Sequence, residues 1–189
     1  MDIQVFEEAM RTGLALAEKP AANAARLVTE GSRRGMARPQ LAQVLATAYW
    51  ETARTMEPVR EAYYLGSFEA AEDWRKRNLS YYPYYGRGYV QLTHKANYQR
   101  ASQFFGADFV AEPDLALDER YALPILFQGM EDGWFAGKKL DDEIDAAEET
   151  GSEDLREFRN ARRIVTGTDK AATVTLIAAK MEAALVAAG

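Results

Sequence analysis

Apolar residues recur at helical spacing along almost the whole of this chain, and the pattern fails in one stretch, residues 59–88. Residues 2–18 carry Ile3, Phe6, Met10, Leu14 and Ala17 on one face. Pro20 can open a second helix and Gly31 can close it. Pro39 suits the first residue of a third helix. That helix shows a stripe of Leu41, Val44, Leu45, Ala48 and Thr52, and Pro58 predicts its stop just beforehand. Helical patterns return at 94–105, 119–136, 141–149, 153–166 and 170–187. The last has Val174, Ile177, Ala178, Met181 and Leu185 as its inward face. Tyr89 to Thr93 alternates and reads as a short strand after Gly88. The expected fold is therefore mainly α, with a small β excursion around residues 80–93. Such a platform can carry a cleft, but a fold alone gives no function.

At 189 residues the chain can bury a core without disulfide or metal staples. No repeat or Gly/Ser/Pro-rich linker divides it, so residues 1–189 are expected to form one domain with two lobes at most. Cysteine is absent, which removes disulfides and thiolate zinc sites. With His94 as the only histidine, neither a metal nor a cofactor is expected, and His94 itself is read as structural. A net charge of −6 disfavours nucleic acid as a partner. The start does not read as a signal peptide, and no apolar run is expected to reach the length of a membrane span. Arg33, Arg34, Arg38, Arg75, Lys76, Arg77 and Arg87 are available to make a groove less acidic than the whole. The acidic run at 141–145 with Glu148 and Glu149 lacks calcium-loop spacing and reads as a solvated helix face.

Chemistry gathers at two places. Glu51 lies at the margin of the third helix's stripe, where desolvation disfavours the charged form and raises a carboxyl pKa. A general acid needs that property. Glu61 lies beyond Pro58, where the chain can bend and bring it back across a gap from Glu51. Glu57 competes for the same role. Inverting glycosidases need two carboxyls about 6.5–9.5 Å apart, and retaining enzymes need them closer. The second place is Tyr81 to Thr93. Tyr81, Tyr82, Tyr84 and Tyr85 offer faces for sugar rings, and Gln91, Thr93 and Asn97 offer hydrogen bonds to hydroxyls. Alternation puts Tyr89, Gln91 and Thr93 on one edge, with Val90 and Leu92 toward the core. Thr93 can hold an attacking water. The competing readings are an amphipathic helix with a boundary glutamate and a tyrosine-rich loop packed on a core. Gly86-Arg-Gly88 lacks the ending of a phosphate loop and reads as a tight turn.

Ala48-Tyr-Trp-Glu-Thr-Ala53 followed by Tyr85-Gly-Arg-Gly-Tyr-Val-Gln-Leu-Thr-His-Lys-Ala-Asn-Tyr98 resembles glycoside hydrolase family 19, in its bacteriophage endolysin branch. The likeness covers residues 40–100 and extends more weakly through 127–140 and 160–169. It implies a lysozyme-like helical fold and inverting hydrolysis. Glu51 would be the general acid, Glu61 the water-activating carboxylate and Thr93 the water-positioning hydroxyl. Tyr85, Arg87, Gln91, Asn97 and Tyr98 would contact substrate. Arg162 and Arg163 would lie near the cleft, to orient a carboxylate, meet an acidic sugar substituent or form a surface ion pair. Two departures stand out: Trp50 precedes Glu51 where plant members have histidine, and Thr166 replaces an asparagine.

The resemblance implies a peptidoglycan glycan strand as partner, cut at its β-1,4 bond by muramidase action. Chitinase activity is the alternative within enzymes. Glucosaminidase and lytic transglycosylase are further possibilities, and a non-catalytic wall-binding or phage structural module is the reading outside enzymes. The single domain would act without a separate wall-binding module. A monomer without stable membrane insertion is the simplest expectation. It would be made in the bacterial cytoplasm and released to the wall or periplasm through a separate membrane-permeabilising protein.

Overall fold

The computed structural model describes residues 1–146, 152–165 and 170–189. Three helices come first: α1 (Ile3–Leu14), α2 (Glu18–Arg33) and α3 (Arg38–Glu51). Asp2 caps α1 by accepting from the Gln4 and Val5 amides, which satisfies two otherwise orphaned donors. The helix ends where Ala15 turns left-handed at φ 52°, earlier than the expected residue 18. Gly31 does not close α2. It lies inside it, where a Cβ would sit 2.4 Å from Leu41 Cδ1, so it lets α3 approach closely.

Pro39 falls in the first turn of α3, where its missing N–H costs nothing. Every residue from Leu41 to Tyr49 is buried. The expected single stripe was too narrow: α3 is wrapped by α2 and by the later helices α6 (Glu119–Glu131), α8 (Ser152–Ala161) and α9 (Ala171–Ala188). The helix ends at Glu51, well short of Pro58.

The interruption between α3 and α6 forms the second lobe. β1 (Val59–Arg60) pairs antiparallel with β2 (Arg87–Gly88), and α4 (Phe68–Asn78) lies between them. Ser67 caps α4 by accepting from the Ala70 amide. The short strand expected at 89–93 is instead a turn, with β2 ending at Gly88. Gln91 has φ 54° and His94 has φ 69°, and Arg87 bridges back to Leu92. The alternation fails with it, because Tyr89 and Val90 are both buried. α5 (Lys95–Phe105) then returns the chain to the bundle and stops at left-handed Gly106.

Asp118 caps α6 by accepting from the Arg120 amide. The acidic run gives only α7 (Leu140–Glu143), on which Asp141 and Asp142 are exposed. Glu148, Glu149 and Thr166 lie outside the described residues. The α9 helix has 18 residues and a mean hydropathy of 1.6, long and apolar enough by length and composition to cross a membrane. The sequence reading missed this because α9 is rich in alanine rather than in large apolar residues. Half of it is buried against α1, α3 and α8. The architecture is mainly helical and lysozyme-like, with the two-stranded ribbon as its sheet among the described residues.

Candidate active site

A cleft of about 590 Å³ opens between the end of α3 and the second lobe. Glu51, Glu61, Thr93, Gln91 and Asn97 all line it.

Glu51 is the last residue of α3, and its side chain is 13% exposed. Its Oε1 lies 2.8 Å from Arg162 Nη1, on the 3-10 turn that follows α8. Arg162 is buried, whereas Arg163 is exposed. A guanidinium at that distance favours the charged carboxylate, so ion pairing opposes the desolvation expected from sequence. Thr52 follows with its hydroxyl donating to the Ala48 carbonyl at 2.7 Å, which closes the last turn of α3 behind the acid.

Glu61 is held differently. Its Oε2 accepts the Gly86 amide at 2.8 Å and its Oε1 accepts the Tyr81 hydroxyl at 2.8 Å. Its own amide donates to the Gly86 carbonyl at 2.7 Å, and its carbonyl accepts from Arg75 Nε at 2.7 Å. Main chain and side chain are therefore both fixed. Burial, and then the hydrogen bond to Glu61, push the Tyr81 hydroxyl up to about 12, so it remains a donor throughout the working pH range. Gly86 has no room for a side chain, since a Cβ would lie 2.6 Å from Gln91 Oε1.

The Thr93 hydroxyl donates to the Gln91 carbonyl at 2.6 Å. Its proton is thereby committed, and what it offers a water is its lone pairs. Gln91 donates through Nε2 to the Val59 and Gly88 carbonyls, at 3.0 and 3.2 Å, which ties the turn to β1. Asn97 Nδ2 donates to the Thr93 carbonyl at 2.9 Å.

Tyr85, Arg87 and Tyr98 do not line the cleft; all three are buried behind it. Arg87 pairs with Asp114 Oδ1 at 2.7 Å and lies 3.6 Å from the centre of the Tyr85 ring. Its Nη1 also reaches the Pro83 and Tyr85 carbonyls and the Tyr98 hydroxyl. The Tyr98 hydroxyl donates to the Tyr85 carbonyl at 2.7 Å. Burial and this network make the three the frame of the lobe, in place of the sugar contacts expected of them. Of the tyrosines expected to stack on sugars, Tyr81 alone lines the cleft. The exposed rings are Tyr63 and Tyr64, which no periodicity marked. None of the seven basic residues expected to balance the groove lines it; Arg60 does.

Trp50 also lines the cleft, as do Phe135 and Val165. His94, read as structural, is exposed at the rim, with its ring edge-on to Tyr81 at 5.0 Å. Glu57 is outside the cleft. Lys19 lies 2.7 Å away and holds its carboxyl below the ordinary range. Among the described residues no group of histidine or acidic side chains is arranged to hold a metal.

Residues 46–127 match the chitinase class I family, which is glycoside hydrolase family 19. Over this segment the chain is similar to glycoside hydrolase family 19. The family 19 segment contains Glu51, Glu61, Thr93, Gln91 and Asn97, while Arg162, the partner of Glu51, lies beyond it. Two relatives are Chitinase 11 and Chitinase 8 of Oryza sativa subsp. japonica, 64% and 58% identical over 33 residues. Those residues are 18% of this chain and 13% of each rice protein, so the alignment spans a small part of the curated relatives. No solved structure matches the chain.

Proposed function

We propose that the protein is an endolysin-type muramidase, hydrolysing the β-1,4 bond of the peptidoglycan strand with inversion. The observation that carries the glycosidase part is the gathering of Glu51, Glu61 and Thr93 on one cleft inside a family 19 segment. In the proposed step Glu51 donates its proton to the glycosidic oxygen as the bond from that oxygen to the anomeric carbon breaks. Water attacks the anomeric carbon from the opposite face. Glu61 takes a proton from that water, and Thr93 orients it by accepting its other hydrogen. Arg162 stabilises the carboxylate that Glu51 becomes. Tyr81 and the Gly86 amide keep Glu61 aimed, and Tyr63 and Tyr64 offer ring faces along the rim.

The choice of wall glycan over chitin rests on the resemblance to the endolysin branch, with its short cysteine-free domain. Chitin is the second reading, favoured by the names of the rice relatives. Release from the producing cell through a separate membrane-permeabilising protein belongs to the muramidase reading.

Purified protein incubated with bacterial sacculi is expected to release fragments with N-acetylmuramic acid at the new reducing end, identified by mass spectrometry. Cleavage of chitin oligomers with intact sacculi left untouched would establish the chitinase reading instead. N-acetylglucosamine at the reducing end would mark a glucosaminidase, and anhydro ends a transglycosylase. Sugar binding without any cleavage would mark a binding module.

A further inference from the structure

A second depression, about 710 Å³, adjoins the cleft between the end of α1, the end of α3 and the outer face of α9. Leu14, Leu176 and Ile177 give it an apolar lining, and Leu176 is 62% exposed. Arg54 and Lys180 also line it, and among the described residues no acidic side chain does. Lys180 Nζ donates to the Gly13 carbonyl at 3.0 Å, and the Arg54 guanidinium lies 5.8 Å from the centre of the Tyr49 ring. Neither has a carboxylate at ion-pair distance among the described residues, although the chain as a whole carries −6. Trp50 and Ala53 line both this groove and the cleft, so they form the shared boundary between the two.

We propose that this groove binds the peptide stem of the wall glycan, a short peptide of alkyl side chains and free carboxylates. The assignment rests on the muramidase reading of the neighbouring cleft. A stem branches from alternate sugars of that strand, so a sugar seated beside Trp50 delivers its branch across the shared boundary. Arg54 and Lys180 receive the carboxylates, and Leu176 and Ile177 receive the methyl groups. A chitin strand has no such branch, and the groove thereby gives the protein a means to distinguish the two polymers.

Titration of the isotopically labelled protein with a synthetic stem tetrapeptide, followed by amide NMR, tests this. Saturable shifts are expected at Ala53, Ile177 and Lys180, with affinity reduced about tenfold or more in the Arg54→Gln/Lys180→Glu variant. Lys180→Glu alone serves if the double variant does not fold, because Lys180 is exposed. No shifts, or equal affinity in the variant, would overturn the assignment. In a second measurement the ratio of kcat/KM on intact sacculi to that on amidase-stripped glycan is expected to fall about tenfold in the variant. An unchanged ratio would also overturn it. Tetrapeptide binding by a wild-type protein that cuts neither glycan would sink the muramidase reading while supporting the groove.

Discussion

One wall of the cleft is the end of α3, a helix buried on every side from Leu41 to Tyr49, with Glu51 as its final residue. The other wall is loop and ribbon, and its glutamate, Glu61, is fixed by a main-chain amide and a tyrosine hydroxyl. Apolar packing places the first carboxylate, and one buried arginine meets it. Hydrogen bonds place the second, backed by the Arg87–Asp114–Tyr98 frame. Apolar packing carries no titrating group and is not screened as charges are, whereas an ionic frame depends on its charges. The two walls should therefore fail under different conditions, although they serve one site.

The largest test concerns the carboxylates. Glu51→Gln is expected to lower kcat about 10²–10⁴-fold and also to lower the melting temperature, because it takes the carboxylate away from the buried Arg162 guanidinium. Glu61→Gln should match that loss in activity and also lower the melting temperature, because the amide is a poorer acceptor for Gly86 and Tyr81. Reducing-end release and calorimetry on both variants check the two losses. A melting temperature of Glu61→Gln equal to that of the wild type would show that the loop wall does not depend on its glutamate.

Next in size are the two supports. Leu45→Ala, in the centre of α3, is expected to cost about 2–5 kcal/mol in urea unfolding. Tyr98→Phe removes one hydroxyl from the loop frame and is expected to cost about 1–3 kcal/mol. A larger cost at Tyr98 would reverse the ranking of hard and soft walls. A smaller effect is expected from Tyr81→Phe, which should lower kcat roughly tenfold while KM changes little, since one charge-assisted hydrogen bond orients the base. Loss in KM alone would make Tyr81 a sugar contact rather than a positioning residue.

The smallest effect is the pH response. Burial raises the Asp114 and Glu72 carboxyls, but arginines at Asp114, and tyrosine hydroxyls with Arg75 at Glu72, outweigh it and hold both below the ordinary range. Their native forms bind protons less readily than the unfolded chain does. The stability they contribute is present above the ordinary carboxyl value of about 4 and is lost as pH falls through their lowered native values. Hydrogen exchange at acid pH should open residues 59–98 before α3 and α9. Simultaneous opening would contradict the division into two walls.

The helical half of this fold was readable because periodicity and proline report on buried faces directly. The stripe on α3 proved too narrow because Ala42, Ala46 and Thr47 are small enough to be buried and weak enough in hydropathy to be overlooked. Glu51, Glu61, Thr93, Gln91 and Asn97, chosen by residue type, spacing and resemblance, all line the cleft. Tyr85, Arg87 and Tyr98 were assigned to substrate through the resemblance, as side-chain types that suit sugars. They suit one another equally well, and a buried guanidinium between two rings leaves no local pattern in the sequence. Tyr63 and Tyr64 escaped for the opposite reason, as exposed loop residues without periodicity. The α4 helix was missed because it is largely polar and buries only Ala71 and Arg75.

The amide that grips Glu61 belongs to residue 86 and not to a side chain. Every amino acid except proline carries such a donor, so ordinary point replacements elsewhere leave the grip in place. What aims Glu61 is the route of the polypeptide between positions 62 and 85. Drift in the catalytic setting should therefore come through insertions and deletions in that span, which would move the amide, more readily than through exchange of one residue for another.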